Sequence, residues 1–218
     1  MTYCKEKILL ASGSPRRAEI MALAGLDFEA YPMDIDEENR DNADPNQYVR
    51  AVVLRKADAA AEQFPDRLVV AADTVVVAGD KGIAAHSYPL WKHQKRMEIL
   101  GKPKDAADAE RMLRLLSGKT HVVMTCAVVA KGEVRQSLLV RSGVTFRKLR
   151  GEEIAAYIAT GEPMDKAGAY AIQGKGCAFI TGIAGDYYNI VGLPICPLLT
   201  LLEKFTKEQT SDVSPLGA

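Results

Sequence analysis

Two adjacent arginines, Arg16 and Arg17, follow a proline and a run of small hydroxyl residues near the start of the chain. A short apolar run leads into a Ser-Gly-Ser loop at 12–14, and Pro15 is typical of the first turn of a helix. The loop therefore places Ser12, Ser14 and backbone N–H groups at a helix N-terminus, which attracts anions. Positive side chains oppose the helix dipole there, so the pair is either a solvated surface feature or the partner of an anionic ligand. Phosphate fits the second interpretation, because a guanidinium binds it through a bidentate fork.

Asp73 is an acidic residue inside the apolar run LVVAADTVVV. The length and β-branched content of this run predict a buried strand, where an ionised carboxylate is costly unless it is paired or holds a metal. A structural ion pair, a catalytic role and a metal-binding role are the alternatives. Lys56, Lys102 and Lys166 stand beside small or rigid residues, and each alone is most simply a surface lysine. Together, these features indicate chemistry on a phosphate chain, where positioning and charge neutralisation carry most of the catalysis.

The composition is that of a folded, water-soluble chain: 218 residues, 48% of them hydrophobic and 26% charged. Lys plus Arg equals Asp plus Glu at 28 each, so no global positive field draws the protein to nucleic acid or to an anionic membrane. No stretch reaches the roughly 20 apolar residues that span a bilayer. The four cysteines lie far apart and predict reduced thiols, and no signal segment is evident, so we expect a cytoplasmic protein.

Several motif-like stretches do not meet the requirements of the sites that they suggest. The sequence at 118–120 ends like a phosphate-binding P-loop, but Leu113 occupies the position that requires glycine, so Gly118 is better explained as a helix C-cap. The GKG stretch at 174–176 fails as a dinucleotide loop because its third glycine position is Phe179. The three histidines lack zinc-site spacing: His86, His93 and His121.

Helical and strand patterns alternate along the whole chain without a linker or an internal repeat. This order predicts one α/β domain over residues 1–205, with a mixed sheet flanked by helices and two lobes around a cleft as a further possibility. A long amphipathic helix is expected from Pro45 to about Gln63, and two strands are expected to meet near 131–132. The tail at 206–218 has little to bury and is expected to be disordered.

Eight blocks, in order from about Ile8 to Leu202, resemble the Maf family of nucleoside triphosphate pyrophosphatases. The resemblance implies a Maf/inosine triphosphatase-like fold with a nucleotide cleft between two lobes, and it implies a homodimer. It also implies cleavage of a nucleoside triphosphate between the α- and β-phosphates with the help of a divalent cation, Mg²⁺ or Mn²⁺. The blocks are LASGSPRR, DIDE, RKA, AADTVV, GKP, MLRLLSGKTHVVMT, DKAGAYAIQG and GDYYNIVGLP.

Roles carry over from this resemblance to matching positions. Asp73 matches the position of the family's general base, which activates water. The resemblance also implies that Asp73 and Glu37 are ligands of the metal. Gln173 in AYAIQG resembles the branch that acts on dTTP, UTP and some modified pyrimidine nucleotides, since an amide both donates and accepts hydrogen bonds at a base edge. Arg16 and Thr74 match the other positions associated with that choice. Binding of the triphosphate is implied for Ser12, Ser14, Arg16, Arg17, Lys56, Lys102 and Lys166.

The chain departs from the family pattern between Asp73 and Lys102, which are separated by an extra segment at about 81–96. The segment is basic and contains the only tryptophan, Trp91. It is interpreted either as a surface hairpin or loop, since loops tolerate insertions, or as a lid or a partner contact.

Two hypotheses about function follow. The first is a metal-dependent pyrophosphatase that hydrolyses dTTP and UTP or removes noncanonical nucleotides. The second is a regulator of cell division and septum formation that binds a nucleotide without turning it over. A nucleic-acid-binding module is disfavoured by the zero net charge and the lack of a basic, aromatic motif.

Overall fold

The computed structural model describes residues 4–35, 44–79 and 97–211. Glu37, to which the resemblance assigns a metal-binding role, lies outside the described residues. So do the inserted segment at 81–96 and the end of the chain at 212–218.

The strands are short at one edge of the sheet and long at its centre. They are β1 (Ile8–Leu10), β2 (Phe28–Ala30), β3 (Val69–Gly79), β4 (Met97–Leu100), β5 (Thr120–Lys131), β6 (Val134–Phe146) and β7 (Ile180–Ala184). The helices are α1 (Pro15–Leu23), α2 (Pro45–Gln63), α3 (Ala106–Leu116), α4 (Gly151–Ile158), α5 (Tyr187–Val191) and α6 (Ile195–Ser211). The bounds of α2 and the turn between β5 and β6 agree with the prediction from sequence.

The strands form one mixed sheet in the order β2-β1-β3-β5-β6-β7, with β4 also paired to β3. The β1 strand runs parallel to β2 and β3, whereas the other pairings are antiparallel. This confirms the predicted α/β class with a mixed sheet flanked by helices.

The side chains of β3 point alternately to the two faces of the sheet, and different helices cover these faces. Val69, Ala71, Val75 and Val77 pack with α2 in one core cluster, since successive side chains of a strand point to opposite faces. On the other face, Val70 and Ala72 pack with α1 and α6, and Val76 and Ala78 pack with α3 and α4. Asp73 thus belongs to the α2 face, while Thr74 lies on the opposite face between two separate clusters.

The sheet has an opening beside the middle of β3. The β5 strand pairs along one edge of β3 from Val69 to Val77. On the other edge, β1 pairs only with Val69 and Val70, and β4 pairs only from Val76 to Gly79. Residues 71–75 therefore lack a strand partner on that edge within the described ranges. We call this opening the edge gap, and Asp73 lies at its centre.

The last helix extends further than expected. The sequence predicts a disordered tail from residue 206, but α6 continues to Ser211. Leu198, Leu202 and Phe205 form a fully buried stripe at helical spacing, which anchors the later turns to the sheet. The Gln136 side-chain amide on β6 also donates to the Glu208 carboxylate. No helix within the described ranges is long and apolar enough to cross a membrane.

Candidate active site

A cleft of about 380 Å³ opens at the edge gap. Its walls come from the β1–α1 loop, α1, α2, β3, the turn after β4 and the segment at 165–173. Every described residue that sequence analysis assigns to the site lines this cleft. These residues are Ser12, Ser14, Arg16, Arg17, Lys56, Asp73, Thr74, Lys102, Lys166 and Gln173.

Asp73 and Lys56 form an ion pair on the wall of the cleft. Lys56 Nζ lies 2.7 Å from Asp73 Oδ1, and each side chain is 13% exposed. The α2 helix supplies the lysine because it packs on the face of β3 to which Asp73 points. Among the described residues, no donor other than Lys56 bonds to the Asp73 carboxylate. The ion-pair and catalytic interpretations are therefore compatible, since the second carboxylate oxygen can accept a proton from water.

Arg17 bonds to the protein around it. Its guanidinium donates to the Gly192 carbonyl from Nε at 2.9 Å and to the Ser12 hydroxyl from one terminal nitrogen at 2.9 Å. The other terminal nitrogen donates to Thr74 Oγ1 at 3.2 Å. These bonds join the loop before α1, strand β3 and the turn after α5. The predicted contact of Arg17 with a triphosphate stays a prediction, and in this structure the side chain acts as a brace.

A buried network behind Thr74 contains residues that sequence analysis missed. The hydroxyls of Thr74 and Thr125 are 2.9 Å apart, and the Thr125 hydroxyl donates to the Asn189 carbonyl at 2.9 Å. The Asn189 side chain accepts from the Thr125 N–H at 3.1 Å and donates to the Val123 carbonyl and the Ser142 hydroxyl. Thr125, Ser142 and Asn189 are fully buried. A hydroxyl residue in an otherwise apolar strand is the signal that could have revealed this network, because buried polar groups need partners.

The cleft has a local excess of positive charge, although the formal net charge of the chain is zero. Among the described residues, five cationic side chains and two carboxylates line it, a surplus of three positive charges. Lys166 pairs with Asp165. Burial by itself would raise the pKa of Asp165, but the hydrogen bond and the charge of Lys166 outweigh burial and lower that pKa. The excess charge favours an anion with several negative charges.

Arg16 and Lys102 are the cations best placed to meet such an anion. Neither side chain forms a hydrogen bond or ion pair with the described residues, in contrast to Arg17 and Lys56. Arg16 lies in the first turn of α1, where the N-cap residue Ser14 makes no side-chain cap bond. Backbone N–H groups and a guanidinium are thus presented together at a helix N-terminus.

Lys102 reaches the cleft in spite of the inserted segment. The β4 strand, which ends at Leu100, pairs with β3 just beyond the edge gap, so the turn that follows lies beside Asp73. The Gly168 N–H donates to the Gly101 carbonyl at 3.0 Å, which joins this turn to the segment of Lys166. Gly168 has a φ of 71°, and a Cβ there would lie 3.0–3.1 Å from the Val76 side chain. Glycine therefore allows this close approach.

A divalent cation, which the resemblance implies, can be tested against the oxygen donors of the cleft. The described residues contain no group of three His, Cys, Asp or Glu side chains that could hold a metal ion. Mg²⁺ is commonly held by one or two carboxylates together with substrate phosphates and water. Asp73 supplies one such carboxylate, so the oxygen chemistry fits Mg²⁺ or Mn²⁺ if the triphosphate completes the coordination.

Comparisons with known proteins identify relatives of the whole chain. The profile of a family described as Maf-like protein matches residues 7–205. A dTTP/UTP pyrophosphatase of Bacillus cytotoxicus is 44% identical over 200 residues, which are 92% of this chain and 96% of that protein. A dTTP/UTP pyrophosphatase of Bacillus cereus is 43% identical over 205 residues, 94% of this chain and 93% of that protein.

A solved structure of the Staphylococcus aureus Ham1 protein aligns with 92% of this chain and 100% of that chain, at a TM-score of 0.48 and 14% identity. The family profile covers most of the chain, and the pyrophosphatase relatives match it along nearly their whole length. The chain therefore belongs to the Maf family.

Proposed function

We propose that this protein hydrolyses dTTP and UTP, and modified pyrimidine nucleotides of similar shape, to the nucleoside monophosphate and pyrophosphate. The observation that carries the proposal is the Asp73–Lys56 pair in a positively charged cleft at the edge gap. The names of the relatives from Bacillus support the same substrates. Such an enzyme can limit the incorporation of noncanonical nucleotides.

In the proposed reaction, Asp73 orients a water molecule and takes its proton as the water attacks phosphorus in line with the departing pyrophosphate. Lys56 keeps the carboxylate in place through its ion pair. Arg16 and Lys102 balance the charge of the phosphates, and the Ser12–Ser14 loop contributes hydroxyl and N–H donors. Asp73, together with Glu37 as the resemblance implies, would hold a divalent cation, which would supply positive charge for the phosphoryl oxygens and lower the pKa of the attacking water.

We assign recognition of the nucleobase to Gln173, which is exposed at the rim of the cleft. Uracil and thymine present adjacent donor and acceptor groups, and a neutral amide can satisfy both. Thr74 contributes to nucleobase recognition only indirectly, because its hydroxyl already accepts a hydrogen bond from Arg17 and lies 2.9 Å from the Thr125 hydroxyl.

The substitution Asp73→Asn tests whether Asp73 is the general base. It keeps the shape of the side chain but removes the proton acceptor, so kcat for dTTP should fall by about 10² to 10⁴-fold while nucleotide affinity changes little. Turnover is measured with Mg²⁺ or Mn²⁺ by chromatographic separation of monophosphate and pyrophosphate, and affinity is measured by calorimetry.

Asp66→Asn is the matched control, since Asp66 is exposed in the turn before β3 and lies outside the cleft. A wild-type kcat in Asp73→Asn would remove Asp73 from the base role. A wild-type protein that binds dTTP without any turnover would instead support the nucleotide-binding regulator. Release of single phosphates would point to a different phosphohydrolase.

We also propose a cytoplasmic location, a divalent cation and a homodimer, and we propose no role in binding nucleic acid. The widely separated free cysteines support the cytoplasmic location, and the resemblance supports the cation and the homodimer. The zero net charge argues against binding of nucleic acid. Sedimentation equilibrium tests the dimer, and activity after chelation and metal replacement tests the cation.

A further inference from the structure

One tyrosine and one glutamate fasten both ends of the turn that carries Gln173. The Tyr157 hydroxyl donates to Glu162 Oε1 at 2.8 Å and accepts from the Ala171 N–H at 3.1 Å. The Glu162 carboxylate also accepts from the N–H of Lys175 at 3.0 Å and from the N–H of Gly176 at 3.2 Å. We call these four hydrogen bonds the latch. Ala171 lies before Gln173 and the other two N–H groups lie after it, so the latch holds the turn on both sides.

Two glycines of the GKG stretch make this approach possible. A Cβ at Gly174 would lie 2.3–2.5 Å from the Glu162 carboxylate. A Cβ at Gly176 would lie 2.7 Å from the Ala171 carbonyl and 2.9 Å from the Tyr157 hydroxyl. These distances are shorter than van der Waals contact, so both positions require glycine. The stretch that fails as a dinucleotide loop is thereby explained as the backbone segment that Glu162 and Tyr157 contact.

The latch is attached to the core. Tyr157 on α4 is 4% exposed, and its ring packs edge-on against Phe179 at a centroid distance of 5.0 Å. Burial by itself would raise the pKa of Glu162, but the hydrogen bonds from Lys175, Tyr157 and Gly176 outweigh burial and lower that pKa. The carboxylate is thus ionised near neutral pH and accepts charge-assisted hydrogen bonds.

We propose that Tyr157 and Glu162 are positioning residues for nucleotide selection: they hold the turn at 171–176 so that the Gln173 amide is presented to the base in one orientation. The inference rests on the proposed function, since it takes Gln173 as the residue that contacts the base. A preorganised turn improves affinity for the matching base because less order must be imposed on binding. A loosened turn loses discrimination while Asp73, on β3, is undisturbed.

Tyr157→Phe and Glu162→Gln test this role. The phenylalanine keeps the ring and leaves the Ala171 N–H without its acceptor, and the glutamine turns an NH₂ group toward backbone donors. Both variants should raise KM for dTTP on the order of 10-fold with a nearly unchanged kcat, and should reduce the preference for dTTP over dGTP. Amide hydrogen exchange at Lys175 and Gly176 should accelerate in both.

Gly174→Ala tests the latch from the backbone side, because its φ of −115° suits alanine and the three heavy atoms nearest to the new methyl group all belong to the Glu162 carboxylate. The same loss of discrimination is expected. Gly182→Ala is its control, since nothing lies within 4 Å of a Cβ there. Tyr187→Phe and Glu152→Gln, at exposed positions outside the cleft, are the controls for the other two variants.

Wild-type KM, wild-type base preference and unchanged exchange in Tyr157→Phe and Glu162→Gln would overturn the proposal. A uniform fall in kcat for all nucleotides would also overturn it, because that pattern indicates general damage. If the wild-type protein turns over no nucleotide, the proposed function fails and the selection role fails with it. Hydrogen exchange still decides in that case whether the latch holds the turn.

Discussion

Arg16 and Arg17 are neighbours in sequence but have different surroundings in the structure. The Arg17 fork bonds to Gly192, Ser12 and Thr74. The Arg16 guanidinium makes no hydrogen bond to the described residues and faces the cleft. Sequence alone could not separate the two, because both stand in the first turn behind Pro15 and differ only in the direction that the helix gives each side chain.

Arg17→Lys should therefore destabilise the fold more than Arg16→Lys. A lysine at position 17 cannot satisfy three acceptors that point in different directions, so the free energy of unfolding should fall by about 1–3 kcal/mol. Arg16→Lys should change it by less than about 0.5 kcal/mol and act on KM for the triphosphate instead. Urea denaturation and steady-state kinetics measure the two effects, and equal destabilisation by both substitutions would contradict the brace role of Arg17.

At the scale of elements, β3 places two functions on adjacent residues. Asp73 points to α2 and meets Lys56, whereas Thr74 points to the opposite face and meets Arg17. The edge gap gives both residues access to the same cleft. Hydrogen bonds thus hold the strand at Thr74 on one face, and an ion pair holds the Asp73 carboxylate, the proposed general base, on the other.

Thr125→Val tests the support on the Thr74 side. Valine fills the same volume but removes the hydroxyl between Thr74 and the Asn189 carbonyl, which leaves buried polar groups without partners. The free energy of unfolding should fall by about 1–3 kcal/mol, and activity should fall with it. Thr125→Ser keeps the hydroxyl and should restore most of the activity. If valine matched the wild type in urea denaturation and turnover, the network would have no part in positioning β3.

At the scale of the whole molecule, His121 makes stability depend on pH. Its ring is buried beside Phe146, with Nε2 2.8 Å from the Tyr170 hydroxyl, and burial lowers the pKa of His121 to about 3. In the unfolded chain a histidine has its ordinary pKa of about 6.5. Below that pH the unfolded state binds a proton that the folded state does not. The contribution of His121 to the free energy of unfolding is therefore fully present at neutral pH, and it is lost progressively as the pH falls from about 6.5 toward 3.

His121→Gln removes this dependence and keeps a nitrogen near Tyr170. The difference in free energy of unfolding between wild type and variant should shrink by about 1.4 kcal/mol for each pH unit below 6.5. Urea denaturation of both proteins from pH 7 to pH 4 measures the slope. Parallel stability curves over that range would show that His121 is protonated in the folded state.

The local elements were largely predictable from sequence. The α2 helix begins at Pro45 and ends at Gln63 as expected, since a proline start and an amphipathic pattern are short-range signals. The apolar run around Asp73 is strand β3. The α6 helix continues into the tail that was expected to be disordered, where the Gln136 side chain on β6 donates to Glu208, which is a long-range contact.

The sequence by itself determined helix α2, the strand around Asp73, the zero net charge and the residue types that suit a phosphate chain, because these depend on composition and on neighbours along the chain. Only the tertiary structure decided which residues meet. The pairing of β1 and β4 with opposite ends of β3 creates the edge gap at Asp73. The contacts of Thr74 with Thr125, and of Glu162 with Gly176, join distant segments. Such contacts follow from strand order and packing, which spacing along the chain does not specify.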